Sequence, residues 1–156
     1  MRNLIECGYQ GKIYPVNPRE GKIDGLVCYP RVTAVPAEVE MAVLAVPAAK
    51  VLDAAGECGK KGVKALTVIT AGFKEVGREG LDLEKKLLEI CNKYGMLLLG
   101  PNCVGLLDTH TPINATFAAT FPYKGEIAFF SQSGAILLAI LDWSSSAGLG
   151  FSKVVS

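Results

Sequence analysis

Proline, glycine and asparagine recur at four short junctions that each follow an apolar run: Pro15-Val16-Asn17-Pro18, Val46-Pro47-Ala48-Ala49, Ile69-Thr70-Ala71-Gly72-Phe73 and Gly100-Pro101-Asn102-Cys103. Proline sets a rigid turn and glycine lets a ligand approach the backbone closely, so four concordant junctions favour a binding crevice over a set of ordinary strand breakers. A cation follows three of them, Arg19, Lys50 and Lys74. Positive charge near a helix N-terminus opposes the macrodipole, so a ligand with several phosphates would account for the three together, whereas a solvated rim accounts for each alone. A fifth motif, Ser131-Gln132-Ser133-Gly134, precedes an apolar helical run. There the exposed helix amides and the Ser133 hydroxyl, with Gly134, could hold a phosphate or carboxylate, and an ordinary serine N-cap is the alternative.

Other chemistries are poorly supported. The chain lacks GxxxxGK[ST] and GxGxxG, and the turn at Ser133 has Ser131 where a nucleophile elbow requires glycine. His110 is the sole histidine and sits in Asp108-Thr109-His110-Thr111, with no relay or metal-ligand spacing, so it reads as a surface-loop residue. The five cysteines never form CxxC, which argues against a zinc site and a disulfide framework; Cys7, Cys28, Cys58 and Cys91 read as small buried hydrophobes. A formal charge of +1 on 156 residues is no nucleic-acid footprint. There is no apolar run of membrane-spanning length and no secretory leader, so the expectation is a soluble, cytoplasmic protein with no membrane and no nucleic-acid partner.

The elements that must position these residues follow from periodicity. Residues 12–16, 41–46, 65–69 and 96–99 read as strands, and residues 48–58 and 75–94 as helices stopped by Gly59 and Gly95. Strands apolar along their whole length, alternating with helices, predict an α/β fold with a doubly wound parallel sheet, whose ligands bind beyond the strands' carboxyl ends. Residues 2–7 give barely two helical turns ahead of the first strand, which predicts that a preceding strand and loop are missing. Residues 111–123 read as an interdomain crossing, followed by a strand at 126–130, a very apolar helix from 135 to about 144 and a strand at 151–155. One such βαβ unit cannot close a core, so the expected organisation is an N-terminally truncated domain at 1–122 and the beginning of a second, C-terminally truncated one at 123–156.

The runs GKIYPVNP, AVLAVPA, ITAGFKE, LLLGPNCVG, INATFA and IAFFSQSGA, in this order and spacing, resemble the N-terminal part of the ADP-forming acetyl-CoA synthetases, or NDP-forming acyl-CoA synthetases, relatives of the succinyl-CoA synthetase alpha subunit. The resemblance covers nearly the whole chain and implies a Rossmann-like CoA-binding domain followed by a flavodoxin-like one. The implied reaction interconverts acyl-CoA, ADP and phosphate with acid, ATP and CoA. By motif match, Pro18, Val46, Pro47, Ile69 and Thr70 would line the CoA site, to which the junctions and their cations add Asn17 and Lys50, with Asn102 and Cys103 near its thiol end. Ser133 and Gly134 would open the helix that receives a phosphorylated histidine loop, a histidine to which His110 does not correspond. CoA would be a substrate, with ADP or ATP and Mg in the full-length enzyme, and the implied partners are a small carboxylic acid and a nucleotide-binding (ATP-grasp) beta subunit or domain. Ala71 stands where the succinyl-CoA relatives have Glu, which favours the acetyl-CoA branch. The alternative reading is a non-catalytic CoA-binding or regulatory module, such as the synthetase-like part of a protein acetyltransferase. Asn17-Pro18-Arg19 at the end of a strand disfavours a nicotinamide enzyme, which would place an acidic residue there.

Overall fold

A computed structural model describes residues 1–156. In chain order the elements are α1 (Arg2–Glu6), β1 (Lys22–Ile23), β2 (Leu26–Val27), β3 (Met41–Leu44), α2 (Ala48–Lys61), β4 (Ala65–Val68), α3 (Arg78–Tyr94), β5 (Leu97–Leu99), β6 (Gly105–Asp108), β7 (Ile113–Thr116), β8 (Tyr123–Phe130), α4 (Gly134–Ala147) and β9 (Gly150–Val155), with 3-10 turns at Val32–Ala34 and Lys74–Val76. Contacts divide them into two compact units, Lys12–Cys103 and the pair of segments Met1–Gly11 and Val104–Ser156.

In the unit Lys12–Cys103, β3, β4 and β5 pair in parallel in that order, with Met41 opposite Ala65 and Ala65 opposite Leu97. The α/β expectation is therefore met by a three-stranded sheet whose crossovers are α2 and α3. Leu66, Thr67 and Val68 are all buried, as required of a central strand covered on both faces. Val51, Ala55 and Cys58 form the buried stripe of α2, at the spacing of one helix face, and join Leu66, Leu87 and Cys91 in the core. Helix α2 runs past Gly59 and stops at Gly62, whose φ of 86° closes the helix by donating to Cys58 O and Gly59 O. Gly59 lies inside the helix, with the ring of Tyr94 of α3 packed over it where a side chain would otherwise stand.

Residues 12–16 are not a strand of this sheet. Val16 instead forms an isolated parallel bridge with Tyr29, through Tyr29 N–H to Pro15 O at 2.9 Å and Asn17 N–H to Tyr29 O at 2.9 Å. Pro15 and Pro18 have no N–H, which limits this segment as a ladder partner. The β1–β2 hairpin, turning at Asp24 (φ 48°) and Gly25 (φ 81°), returns the chain so that Tyr29 takes that place.

In the other unit the sheet order is β7-β6-β9-β8, with β6 antiparallel to both β7 and β9, and β8 parallel to β9. Residues 105–116, expected to be irregular in part, form the β6–β7 hairpin. Its turn is held by Asp108, whose Oδ1 accepts from His110 N at 2.8 Å and Thr111 N at 3.0 Å. This hairpin completes the core that the β8-α4-β9 unit could not close by itself: Val104 and Leu107 pack with Leu137, Leu141, Phe151 and Val154. Helix α1 belongs here as well, since Asn3 Nδ2 donates to Thr116 O at 3.0 Å and to Ala118 O at 2.8 Å. No helix is long and apolar enough to cross a membrane.

Candidate functional site

The carboxyl ends of β3, β4 and β5 lie side by side because the three strands are parallel and in register. Thr70 joins them. Its Oγ1 donates to Val46 O at 2.6 Å, beyond β3, and its carbonyl accepts from Asn102 N–H at 3.0 Å, beyond β5. Val46, Ile69 and Thr70 are half-buried, while Pro47, Lys50 and Asn102 are exposed. The result is a rim of half-open, mostly uncharged groups above a closed core.

The β5 exit is the most constrained. Gly100 has φ 89°, and a Cβ there would fall 2.4 Å from Val68 O, so only glycine passes at this point. A cis Gly100–Pro101 bond and Asn102 at φ 53° follow. Cys103 then turns inward, 8% exposed, and its Sγ donates to Val68 O at 3.3 Å. The structure thus separates two residues expected to act together: Asn102 faces solvent at the rim, and the Cys103 thiol lies beneath β4's last carbonyl.

Pro47 caps α2 without a side-chain hydrogen bond, leaving the first-turn amides of that helix without a capping side chain, and Lys50 sits in the same turn. Asn17 and Pro18 belong to the Val16–Tyr29 bridge outside the three-stranded sheet. There the Asn17 Oδ1 accepts from Arg19 N–H at 2.9 Å, an Asx turn that presents Arg19. Lys74, the third expected cation, is engaged by Glu84 of α3 at 3.5 Å.

A residue that the motif reading passed over also shapes the site. Glu75 Oε1 accepts from both Gly72 N–H and Phe73 N–H, so a carboxylate fills the pair of amides exposed after β4. Burial would raise its pKa, but these amide bonds and the charge of Lys74 outweigh that and hold it below its ordinary value of 4.5. The three-residue spacing from Gly72 to Glu75, like that of a capping box, was the available signal.

In the other unit, Ser133 is the N-cap of α4, its Oγ accepting from Ile136 N–H at 3.3 Å, and Gly134 is the first residue of the helix. Phe130, Ser131, Gln132, Val155 and Ser156 line a shallow depression at the carboxyl ends of β8 and β9, next to that cap. His110 Nε2 lies 3.0 Å from Gly125 O and 3.9 Å from Glu126, a structural tie from the β6–β7 turn to β8. Of the four cysteines read as buried hydrophobes, Cys28, Cys58 and Cys91 are buried and Cys7 is half-buried. Burial, with Glu57 and Cys91 nearby, pushes the Cys58 thiol up to about 11, which makes it inert. No group of three or more His, Cys, Asp or Glu is placed to hold a metal ion.

Residues 1–109 match the CoA binding domain family and residues 124–156 the succinyl-CoA ligase like flavodoxin domain. Acetate--CoA ligase [ADP-forming] I of Archaeoglobus fulgidus is 50% identical over all of this chain and 22% of its own length. The alpha subunit of acetate--CoA ligase [ADP-forming] II of Pyrococcus furiosus is 49% identical over 99% of this chain and 34% of its own. The dinucleotide forming acetyl-coenzyme A synthetase 1 of Ca. Korarchaeum cryptofilum, solved in complex with phosphate and ADP, matches with a TM-score of 0.96 and 45% identity, over 99% of this chain and 33% of its own. The chain therefore spans between about a fifth and a third of the length of these relatives.

Proposed function

The chain belongs to the CoA-binding domain family and carries the sequence and fold of the corresponding part of the ADP-forming acyl-CoA synthetases, and from that premise we propose that it is the CoA-binding portion of an ADP-forming acetate-CoA ligase. The observation that carries this reading is the alignment of the β3, β4 and β5 exits, tied through Thr70, in a chain that is 50% identical, along all of its own residues, to 22% of such a ligase. In this reading residues 1–122 serve CoA and residues 123–156 begin the second functional region, a division supported by the separate family matches to 1–109 and 124–156.

The proposed division of labour follows the chemistry of the rim. Lys50 and the Arg19 turn meet phosphates of CoA, with Asn17, Pro18 and Pro47 shaping their approach, while Val46, Ile69, Thr70 and Asn102 take its uncharged arm. Cys103 supports the β5 exit from below. Ser133 and Gly134, at the N-terminus of α4, receive a phosphoryl group in transit. The reaction would interconvert acyl-CoA, ADP and phosphate with acid, ATP and CoA. Nucleotide and Mg would be held by a nucleotide-binding subunit or domain, since the chain's own acidic residues form no metal-holding group. His110, tied to Gly125 O, has no part in the relay.

Calorimetric titration of the chain with CoA tests the proposal. Saturable binding, weakened by salt and by removal of the 3′-phosphate, is expected; a folded chain that takes up no CoA would refute it. Incubation with labelled ATP, or with acetyl phosphate, CoA and ADP, should leave His110 unlabelled, and label on that ring would overturn its exclusion.

A further inference from the structure

We propose that Thr70 is a positioning residue, fixing the spacing of the β3 and β5 exits so that the crevice admits the uncharged arm of CoA; the inference rests on the CoA-binding reading above. The Thr70 hydroxyl has one proton, and that proton is committed to Val46 O at 2.6 Å. Its carbonyl holds Asn102 N–H at 3.0 Å. Thr70 therefore touches both neighbouring exits at once, one through its side chain and one through its backbone.

Both partners need holding. Val46 lies beyond the last residue of β3, where ladder hydrogen bonds have ended, and its carbonyl would otherwise turn to water. Asn102 has φ 53°, in the left-handed region that asparagine tolerates better than other side chains, and the bond from its N–H to Thr70 O fixes the rim there. Ile69 N–H bonds back to Leu44 O at 3.0 Å, so Thr70 is the first residue of this exit to leave the regular ladder while still bridging the gap. The three linked residues carry no charge, which suits an amide-bearing arm better than a phosphate. Beyond lining the crevice, Thr70 acts through Val46 and Asn102, and a missing hydroxyl would be felt as a widened crevice.

The test compares two ligands on the full chain: CoA, and adenosine 3′,5′-bisphosphate, which lacks the arm. Thr70→Val removes the proton at nearly constant volume and should raise the Kd of CoA about tenfold while leaving that of the bisphosphate unchanged. Thr70→Ser keeps the proton and should restore CoA binding to within about twofold of the parent. If the parent chain binds no CoA, the functional reading itself fails. If the parent binds but Thr70→Val binds CoA equally well, or loses both ligands in proportion, the positioning role is overturned. Should Thr70→Val melt below the assay temperature, Thr70→Ala carries the same expectation, and loss of folding in both variants would place Thr70 in the framework alone and also overturn the role.

Discussion

The ring of Tyr94 lies directly over the backbone of Gly59, so that a Cβ at residue 59 would fall 2.2 Å from Tyr94 Cδ2 and 2.3 Å from Cγ. Helices α2 and α3 meet here through an aromatic face set against a bare stretch of main chain. Because the contact includes the ring's attachment carbon, relief requires moving the whole side chain.

Gly59→Ala should therefore destabilise the protein by about 1–3 kcal/mol, despite alanine's higher helix propensity. Gly56, in the same helix, has open space within 4 Å of the point where a methyl would stand, and Gly56→Ala should stabilise by about 0.5–1 kcal/mol. Urea midpoints of the two variants should move in opposite directions; a shift of the same sign in both would show that the Tyr94 contact yields freely.

Asp108 should make stability depend on acid. Burial would raise its pKa, but Lys153 at 2.8 Å and the amides of Thr111 and His110 outweigh it and hold the carboxyl below its ordinary value of 3.8. A depressed folded pKa contributes stability that is fully present above 3.8 and is lost as pH falls through the lower folded value. Asp108→Asn should thus melt below the parent at neutral pH, and the gap should close as pH is brought beneath 3.8. A gap independent of pH would mean that the charge contributes nothing.

Lys50 tests the phosphate side of the crevice. Lys50→Gln should raise the Kd of CoA several-fold at low ionic strength, with the two proteins converging at about 1 M salt, where screening acts over roughly 3 Å. Pantetheine, without phosphates, should bind both equally. A uniform loss for both ligands would place Lys50 in the fold rather than at the phosphates.

Ser133 separates a cap from an anion site. Loss of its bond to Ile136 N–H should cost about 0.5–1 kcal/mol, read from melting of Ser133→Ala. If the α4 N-terminus also receives phosphoryl, turnover in the complete ligase should fall with CoA affinity unchanged. Melting lowered with turnover intact would leave Ser133 a cap alone.

Much of this was legible in the residues because parallel strands, buried on both faces, must be apolar throughout: residues 41–44 and 65–68 could hardly be anything else. The exits were legible because Pro47, Gly72, Gly100 and Pro101 interrupt those runs. Residues 12–16 misled because their apolar pattern suits a strand, while the partner that claims Val16 is Tyr29, set by a hairpin too short to leave a periodicity. Pro112 disguised the β6–β7 hairpin, whose turn is closed by side-chain bonds from Asp108 rather than by an Asn-Gly or Asp-Gly pair. Gly59 looked like a stop because a small residue chosen for a neighbour's ring reads the same as one chosen for its own φ. The Thr70 bonds were not legible at all, since they join groups whose proximity only the completed sheet creates, and Glu75 left no more than its three-residue spacing from Gly72.

The attachment of α1 to β7 also has a consequence for biosynthesis. Asn3 bonds the carbonyl of Thr116, 113 residues later. At translation rates of about 5–20 residues per second, Asn3 is made roughly 6–23 s before its acceptor. Their bond therefore waits for the β6–β7 hairpin, which is made after every strand of the β3-β4-β5 sheet.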